Sequence, residues 1–160
     1  MTIRQADACN LPFDDASFNL VWMQHVSMNI PDKARLYGES RRVLAENGRL
    51  ALYEILAGPV SGLTFPVPWA RSADISHLAT PEQLRKTLEQ VEFCQVKWED
   101  VTNESASWFR NVLNRIAEKG PPPLSLATIV GSDFPTMARN VLRNLEEDRL
   151  RVVRAILEVE

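Results

Sequence analysis

The sequence predicts an α/β fold built around a parallel pair of buried strands, and three observations carry that reading. Ser17-Phe18-Asn19-Leu20-Val21-Trp22-Met23 and Leu50-Ala51-Leu52-Tyr53-Glu54-Ile55-Leu56 are short runs rich in large apolar residues and bounded by polar clusters, as buried strands are. Between them Leu36, Tyr37, Ser40, Val43 and Leu44 fall on one helical face, with Lys33, Arg35, Glu39, Arg42 and Glu46 elsewhere. Strand, helix and strand within about 40 residues make a βαβ unit, whose strands run parallel. Ligands of such sheets sit beyond the carboxyl ends of the strands. Residues Met23 to Asn29 and Glu54 to Gly58 therefore form the expected functional edge.

Each element follows from local chemistry. Asp14-Asp15 supplies the turn before the first strand. Pro31-Asp32 starts the helix, with Asp32 placed to cap free amides, and Asn47-Gly48 is the expected left-handed stop. From Ala57 to Ser76 come three prolines, two glycines and no clear period. A loop that long is functional or disordered, and Phe65, Val67 and Trp69 favour an ordered covering loop. Thr80-Pro81-Glu82-Gln83 is a capping box opening a helix with Leu84, Leu88 and Val91 as its stripe. Cys94, Val96 and Trp98 alternate with Gln95, Lys97 and Glu99, which predicts a strand half exposed to solvent. From Asn103 the pattern is helical, with Trp108, Phe109, Val112, Leu113 and Ile116 on one face, up to Gly120-Pro121-Pro122-Pro123. Two shorter helices are expected within Leu124–Val130 and Pro135–Leu145, and the Val-Val and Ile content of Leu150 to Val159 tilts the last segment to strand.

Composition narrows the class. The 160 residues are 45% hydrophobic and 24% charged, which is ordinary for a globular domain. A net charge of −3 argues against nucleic acid as a partner, since that needs a basic face. Cys9 and Cys94 form no CxxC pair, so a reduced cytoplasmic chain without a metal site is expected. No run of about 18 apolar residues and no secretion leader is present, and no membrane partner is expected. None of the six glycines, Gly38, Gly48, Gly58, Gly62, Gly120 and Gly131, has the G-x-G spacing of a cofactor-cradling loop.

Several segments together match a known pattern. Ala6-Asp7-Ala8, Leu11-Pro12-Phe13 and Asp15-Ala16-Ser17-Phe18-Asn19 resemble the G-D-A…L-P-F…D-x-S-F-D signature of class I S-adenosylmethionine-dependent methyltransferases. Trp22-Met23-Gln24-His25-Val26 with Met28-Asn29-Ile30 resembles the methionine-side loop of the small-molecule members. Arg41-Arg42-Val43-Leu44-Ala45-Glu46-Asn47-Gly48-Arg49-Leu50 resembles the segment leading into the fifth strand. The pieces stand in the family's order, closest to its ubiquinone-biosynthesis-like and sarcosine/dimethylglycine-like branch.

The resemblance implies the latter part of a Rossmann-like methyltransferase sheet, whose family strand order is 3-2-1-4-5-7-6 with the seventh antiparallel. It implies a stub of the third strand at Thr2–Ala6, then family strands four to seven at Phe18–Met23, Arg49–Leu56, Phe93–Glu99 and Arg149–Glu158, adjacent in the order 4-5-7-6. Residues 1–160 form a single partial domain, with 103–146 a helical insertion or cap before the final strand. The implied cofactor is S-adenosylmethionine, with a small-molecule methyl acceptor. Asp7 would accept from the adenine amino group, Ala8 would offer its backbone amide, and Met23, Gln24 and His25 would flank the methionine portion.

No catalytic residue is assigned. His25 is placed to act as a base or as a structural histidine bonded to backbone. Tyr53 could orient an amine or pack in the core, and Trp69 with Phe65 could form a cation–π wall or pack the loop. His77, Trp98 and Trp108 read as packing residues. Asp7 also reads as a strand-end turn residue. Without the glycine loop, two further accounts stand beside a methyltransferase: a non-catalytic remnant serving as an oligomerisation or interaction module, and a fragment whose upstream portion lies elsewhere. Loss of the first two family strands leaves the fourth with an open edge, expected to be covered by self-association or by the missing N-terminal half.

Overall fold

The computed structural model describes residues 2–120, 122, 124 and 126–159. In chain order come β1 (Phe18–Gln24), a 3-10 turn (Ser27–Asn29), α1 (Lys33–Val43), β2 (Leu44–Ala57), a second 3-10 turn (Ala73–Ile75) and α2 (Pro81–Gln90). There follow β3 (Phe93–Asp100), α3 (Thr102–Lys119), α4 (Ala127–Val130), α5 (Phe134–Glu146) and β4 (Leu150–Val159). The sheet order is β1-β2-β4-β3. β1 and β2 are parallel, and β4 lies antiparallel to both β2 and β3. This is the expected 4-5-7-6 arrangement with its last strand reversed. α3, α4 and α5 lie between β3 and β4 in the chain. The proline run after Gly120 falls partly outside the described residues at Pro121 and Pro123, as does Ser125 in the next expected helix.

The sheet separates two cores because alternate strand residues face opposite ways. On one face Leu50, Leu52 and Leu56 pack with Leu36 and Tyr37 of α1 and Leu84 and Leu88 of α2. On the other, Ile55 and Val152 meet Val101, Ala106, Val141, Leu145 and the 57–80 loop through Val67 and Ala70. That loop is ordered as expected. Asn144 holds both backbone groups of Thr64, and Asn140 donates to the Pro66 carbonyl.

Both predicted caps form. Asp32 Oδ1 accepts from Arg35 N at 2.9 Å, and Thr80 with Gln83 makes the reciprocal capping box. Four expectations need correction. Residues 2–6 form no strand and are exposed, because no strand among the described residues lies beside them to pair with. α1 stops at Val43, short of Asn47-Gly48. Leu44 leaves the helix to enter the core and pair with Phe18; β2 then advances five residues while β1 advances two, and Asn47 takes its left-handed φ of 59° inside that bulge. The alternation in β3 breaks at a register shift between Gln95 and Lys97, which leaves Cys94 and Val96 exposed. That shift lets Phe93 and Trp98, an odd number of residues apart, pack on the same core. Trp108 is 58% exposed and meets Phe109 edge to face, so it does not pack as expected.

Candidate functional site

Two loops converge on the start of α1, at the carboxyl end of the parallel pair. The first is the turn at Asp7–Asn10. Asp7 Oδ1 accepts from Cys9 N at 2.8 Å, and Asp7 and Asn10 form an isolated antiparallel bridge. The turn is held to α1 by Arg35, whose Nε donates to the Cys9 carbonyl at 2.8 Å. Two turns further along α1, Arg42 binds the Leu11 and Phe13 carbonyls, Asp15 and Glu39, while Glu39 accepts from Leu11 N. The hydrogen bond from Arg42 draws the Glu39 carboxyl down to about 2. Asp7 therefore is a turn residue, and it is also exposed, with Oδ2 carrying no hydrogen bond among the described residues.

The second loop, residues 25–30, leaves β1. Met23 is buried in the core beside Leu36 and Leu52, so its side chain is committed to packing. Gln24 is exposed at the strand end. His25 turns the chain with a left-handed φ of 52°, donates its backbone N–H to the Tyr53 carbonyl at 2.8 Å, and sets its ring 4.7 Å from that of Tyr53. Burial pushes the imidazole below its ordinary value, and Nδ1 is buried with no hydrogen-bond partner among the described residues. Tyr53 Oη lies 3.5 Å from Ser105 Oγ, which brings α3 to this edge. Ala8 is half-buried against the α1-side core. Phe65 and Trp69 are partly buried against the cap-side core, and Trp69 Nε1 donates to Ser76, so both act in packing.

Beneath this loop lies Glu54, which the sequence places on the functional edge without marking a role for it. Glu54 is wholly buried. Its carboxylate accepts from Ser27 Oγ at 2.9 Å, from Ser27 N and from Val26 N at 3.3 Å. Lys33 Nζ donates to the carbonyls of Ser27, Ile30 and His77. Burial raises the Glu54 carboxyl; the bonds from Ser27 and Val26 and the charge of Lys33 oppose it. Burial lowers Lys33, partly offset by Glu54. Burial also raises the Tyr37 phenol, with the Glu54 charge adding to it, and the hydroxyl has no hydrogen-bond partner among the described residues. A carboxylate set among Leu50, Leu52, Ile55 and Leu56 was the available signal, since buried carboxylates need partners.

Parts of the chain match known proteins. Residues 1–52 match the family described as "Methyltransferase domain". A sarcosine/dimethylglycine N-methyltransferase of Halorhodospira halochloris is 29% identical over 99 residues, which cover 59% of this chain and 34% of that enzyme. A demethylmenaquinone methyltransferase of Thermotoga maritima is 44% identical over 50 residues, 31% of this chain and 22% of that enzyme. A crystal structure from Galdieria sulphuraria, provisionally assigned as a sarcosine dimethylglycine methyltransferase, superposes with a TM-score of 0.76 at 13% identity, covering 98% of this chain and 58% of that one. The chain thus spans well under two thirds of the length of these relatives. The strand order is the one the resemblance implies, residues 1–52 match the methyltransferase domain family, and nearly the whole chain shares the fold of the Galdieria structure.

Proposed function

We propose that this chain supplies the adenine-side turn, the methionine-side loop and the cap of a methyltransferase acting on a small molecule in the cytoplasm. The observation that carries it is the convergence of the Asp7–Asn10 turn and the 25–30 loop at the start of α1, beyond the carboxyl ends of β1 and β2. The exposed Asp7 carboxylate, with one oxygen free of the turn, suits an adenine amino group. Gln24 and the half-buried His25 suit the amino-acid end of S-adenosylmethionine. The names of the Halorhodospira and Thermotoga relatives, sarcosine/dimethylglycine and demethylmenaquinone, support a small-molecule acceptor. Among the described residues no helix is long and apolar enough to cross a membrane.

Bound S-adenosylmethionine would supply a methyl group already activated by its sulfonium, so the protein's share is alignment and exclusion of water. His25 and Tyr53 are placed to face the acceptor, with Ser105 carrying the cap to them. The 160 residues contain no glycine-rich loop, so the reading concerns only the adenine-side turn, the methionine-side loop and the helices beside them. Calorimetric titration with S-adenosylmethionine tests the reading. A Kd tighter than roughly 100 μM supports it, and no binding at millimolar ligand, a limit of about −4 kcal/mol, overturns it for this chain alone.

A further inference from the structure

We propose that Glu54 is a positioning residue that fixes the 25–30 loop in its ligand-ready shape, and that its carboxylate is kept in an apolar core for that purpose. The inference rests on the cofactor reading above. Its basis is a clamp of two opposite charges closing on one short loop. Glu54 takes the amide hydrogens of Val26 and Ser27 and the Ser27 hydroxyl hydrogen, while Lys33 takes the carbonyls of Ser27 and Ile30. Ser27 is thus gripped through its N–H and O–H from one side and through its C=O from the other, and it is itself 1% exposed.

The neighbouring residues are tied as well. His25 N–H binds the Tyr53 carbonyl, the Met28 carbonyl accepts from His77 N, and Asn29 Nδ2 donates to the Trp69 carbonyl. Glu54 differs from these in what it costs. Its strand neighbours on the same face are Leu50, Leu52 and Leu56, so an apolar side chain would fill the place. A buried carboxylate is weak support for stability, because its desolvation offsets much of what its hydrogen bonds contribute. Among the described residues, every hydrogen bond of the carboxylate goes to the 25–30 loop. The three donors point into a carboxylate; an amide in its place presents N–H to N–H. What the charge secures is therefore the path of the backbone from His25, including its left-handed φ and the buried seat of its ring.

The experiment compares the wild-type chain with Glu54→Gln and with Ser27→Ala, which deletes a single donor. Three quantities are read: amide exchange along the chain, the imidazole titration of His25 by NMR, and calorimetric affinity for S-adenosylhomocysteine. In Glu54→Gln, exchange at Val26–Ile30 rises about tenfold or more while α2 and β4 stay within about threefold of wild type. The His25 titration moves up toward its ordinary value as the ring loosens, and ligand affinity falls about tenfold. Ser27→Ala moves all three in the same direction by less, and it carries the test if Glu54→Gln does not fold. Loop exchange and a His25 titration equal to wild type in a folded variant overturn the proposal. A uniform rise in exchange across β2, α2 and β4 also overturns it, since that is loss of core stability alone. If the wild-type chain binds no ligand, the cofactor reading fails, while exchange and titration still decide the clamp.

Discussion

At the scale of single residues, His25 is the group whose ionisation the fold alters most usefully. Its folded pKa lies below the ordinary value because burial disfavours the cation. The native state therefore resists the proton that the unfolded chain accepts near pH 6.5. Stability linked to this group is fully present above about pH 6.5 and is lost as pH falls toward the folded pKa, at no more than about 1.4 kcal/mol per pH unit. Asn tolerates the left-handed backbone that His25 adopts, so His25→Asn removes the titration without straining the turn. Urea unfolding at pH 7.5 and pH 5.5 should show wild type losing more stability between the two than His25→Asn. Equal losses would place the ring in water. Glu54 acts with the opposite sign: its raised pKa makes its ionisation cost stability as pH climbs above the ordinary carboxylate value. That contribution is common to both proteins and cancels in the comparison.

At the scale of elements, the carboxyl end of β2 depends on a close approach that only glycine allows. A Cβ at Gly58 would stand 2.1 Å from the Asp148 carbonyl oxygen, on the turn between α5 and β4, and Gly58 N donates to the Arg149 carbonyl at 2.8 Å. Gly58→Ala must push that turn away, which costs about 1–3 kcal/mol by the usual measure of overpacking. A denaturation midpoint unchanged from wild type would show that the turn yields freely. Gly58 carried no mark in the sequence, because its need arises from a residue ninety positions away. The same division runs through the other elements. Asp32 and Thr80 could be read in advance, since a cap is a contact with the next few residues. The βαβ order was legible because β1, α1 and β2 each display their own period. The early end of α1 was not, for Leu44 is taken out of the helix by its pairing with Phe18 in a different strand. Nor was the bulge in β3, which exists so that Phe93 and Trp98 reach one core. At the site, Asp7 and His25 stood in recognisable motifs. Glu54 did not, because its role comes from Val26 and Ser27, which sequence spacing does not place beside it.

At the scale of the whole molecule, the sheet ends in two edge strands, β1 and β3, and β1 carries the larger apolar side chains uncovered. Among the described residues β1 has β2 as its sole neighbour, so its second row of backbone groups is unpaired. The residues of β1 opposite Met23's face are apolar and uncovered: Leu20 is 55% exposed and Trp22 is 72% exposed. By register they stand beside Arg49 and Ala51 of β2, on the face that the cap covers only further up. An unpaired edge flanked by a bare tryptophan is a template for another chain, and we expect a second copy to occupy it when no other strand is supplied. One strand edge buries less than the roughly 1,200–2,000 Å² of a stable interface, so the association should be weak, with a Kd of about 10–500 μM. Sedimentation across that range should show dimer growing with concentration. Trp22→Lys deletes the apolar contact and sets like charges face to face in a symmetric pair, so it should weaken the dimer about tenfold or more with far-UV circular dichroism unchanged. A monomer at every concentration in the wild-type chain would mean that β1 tolerates water along its whole length, and the expectation of a covering strand would fall with it.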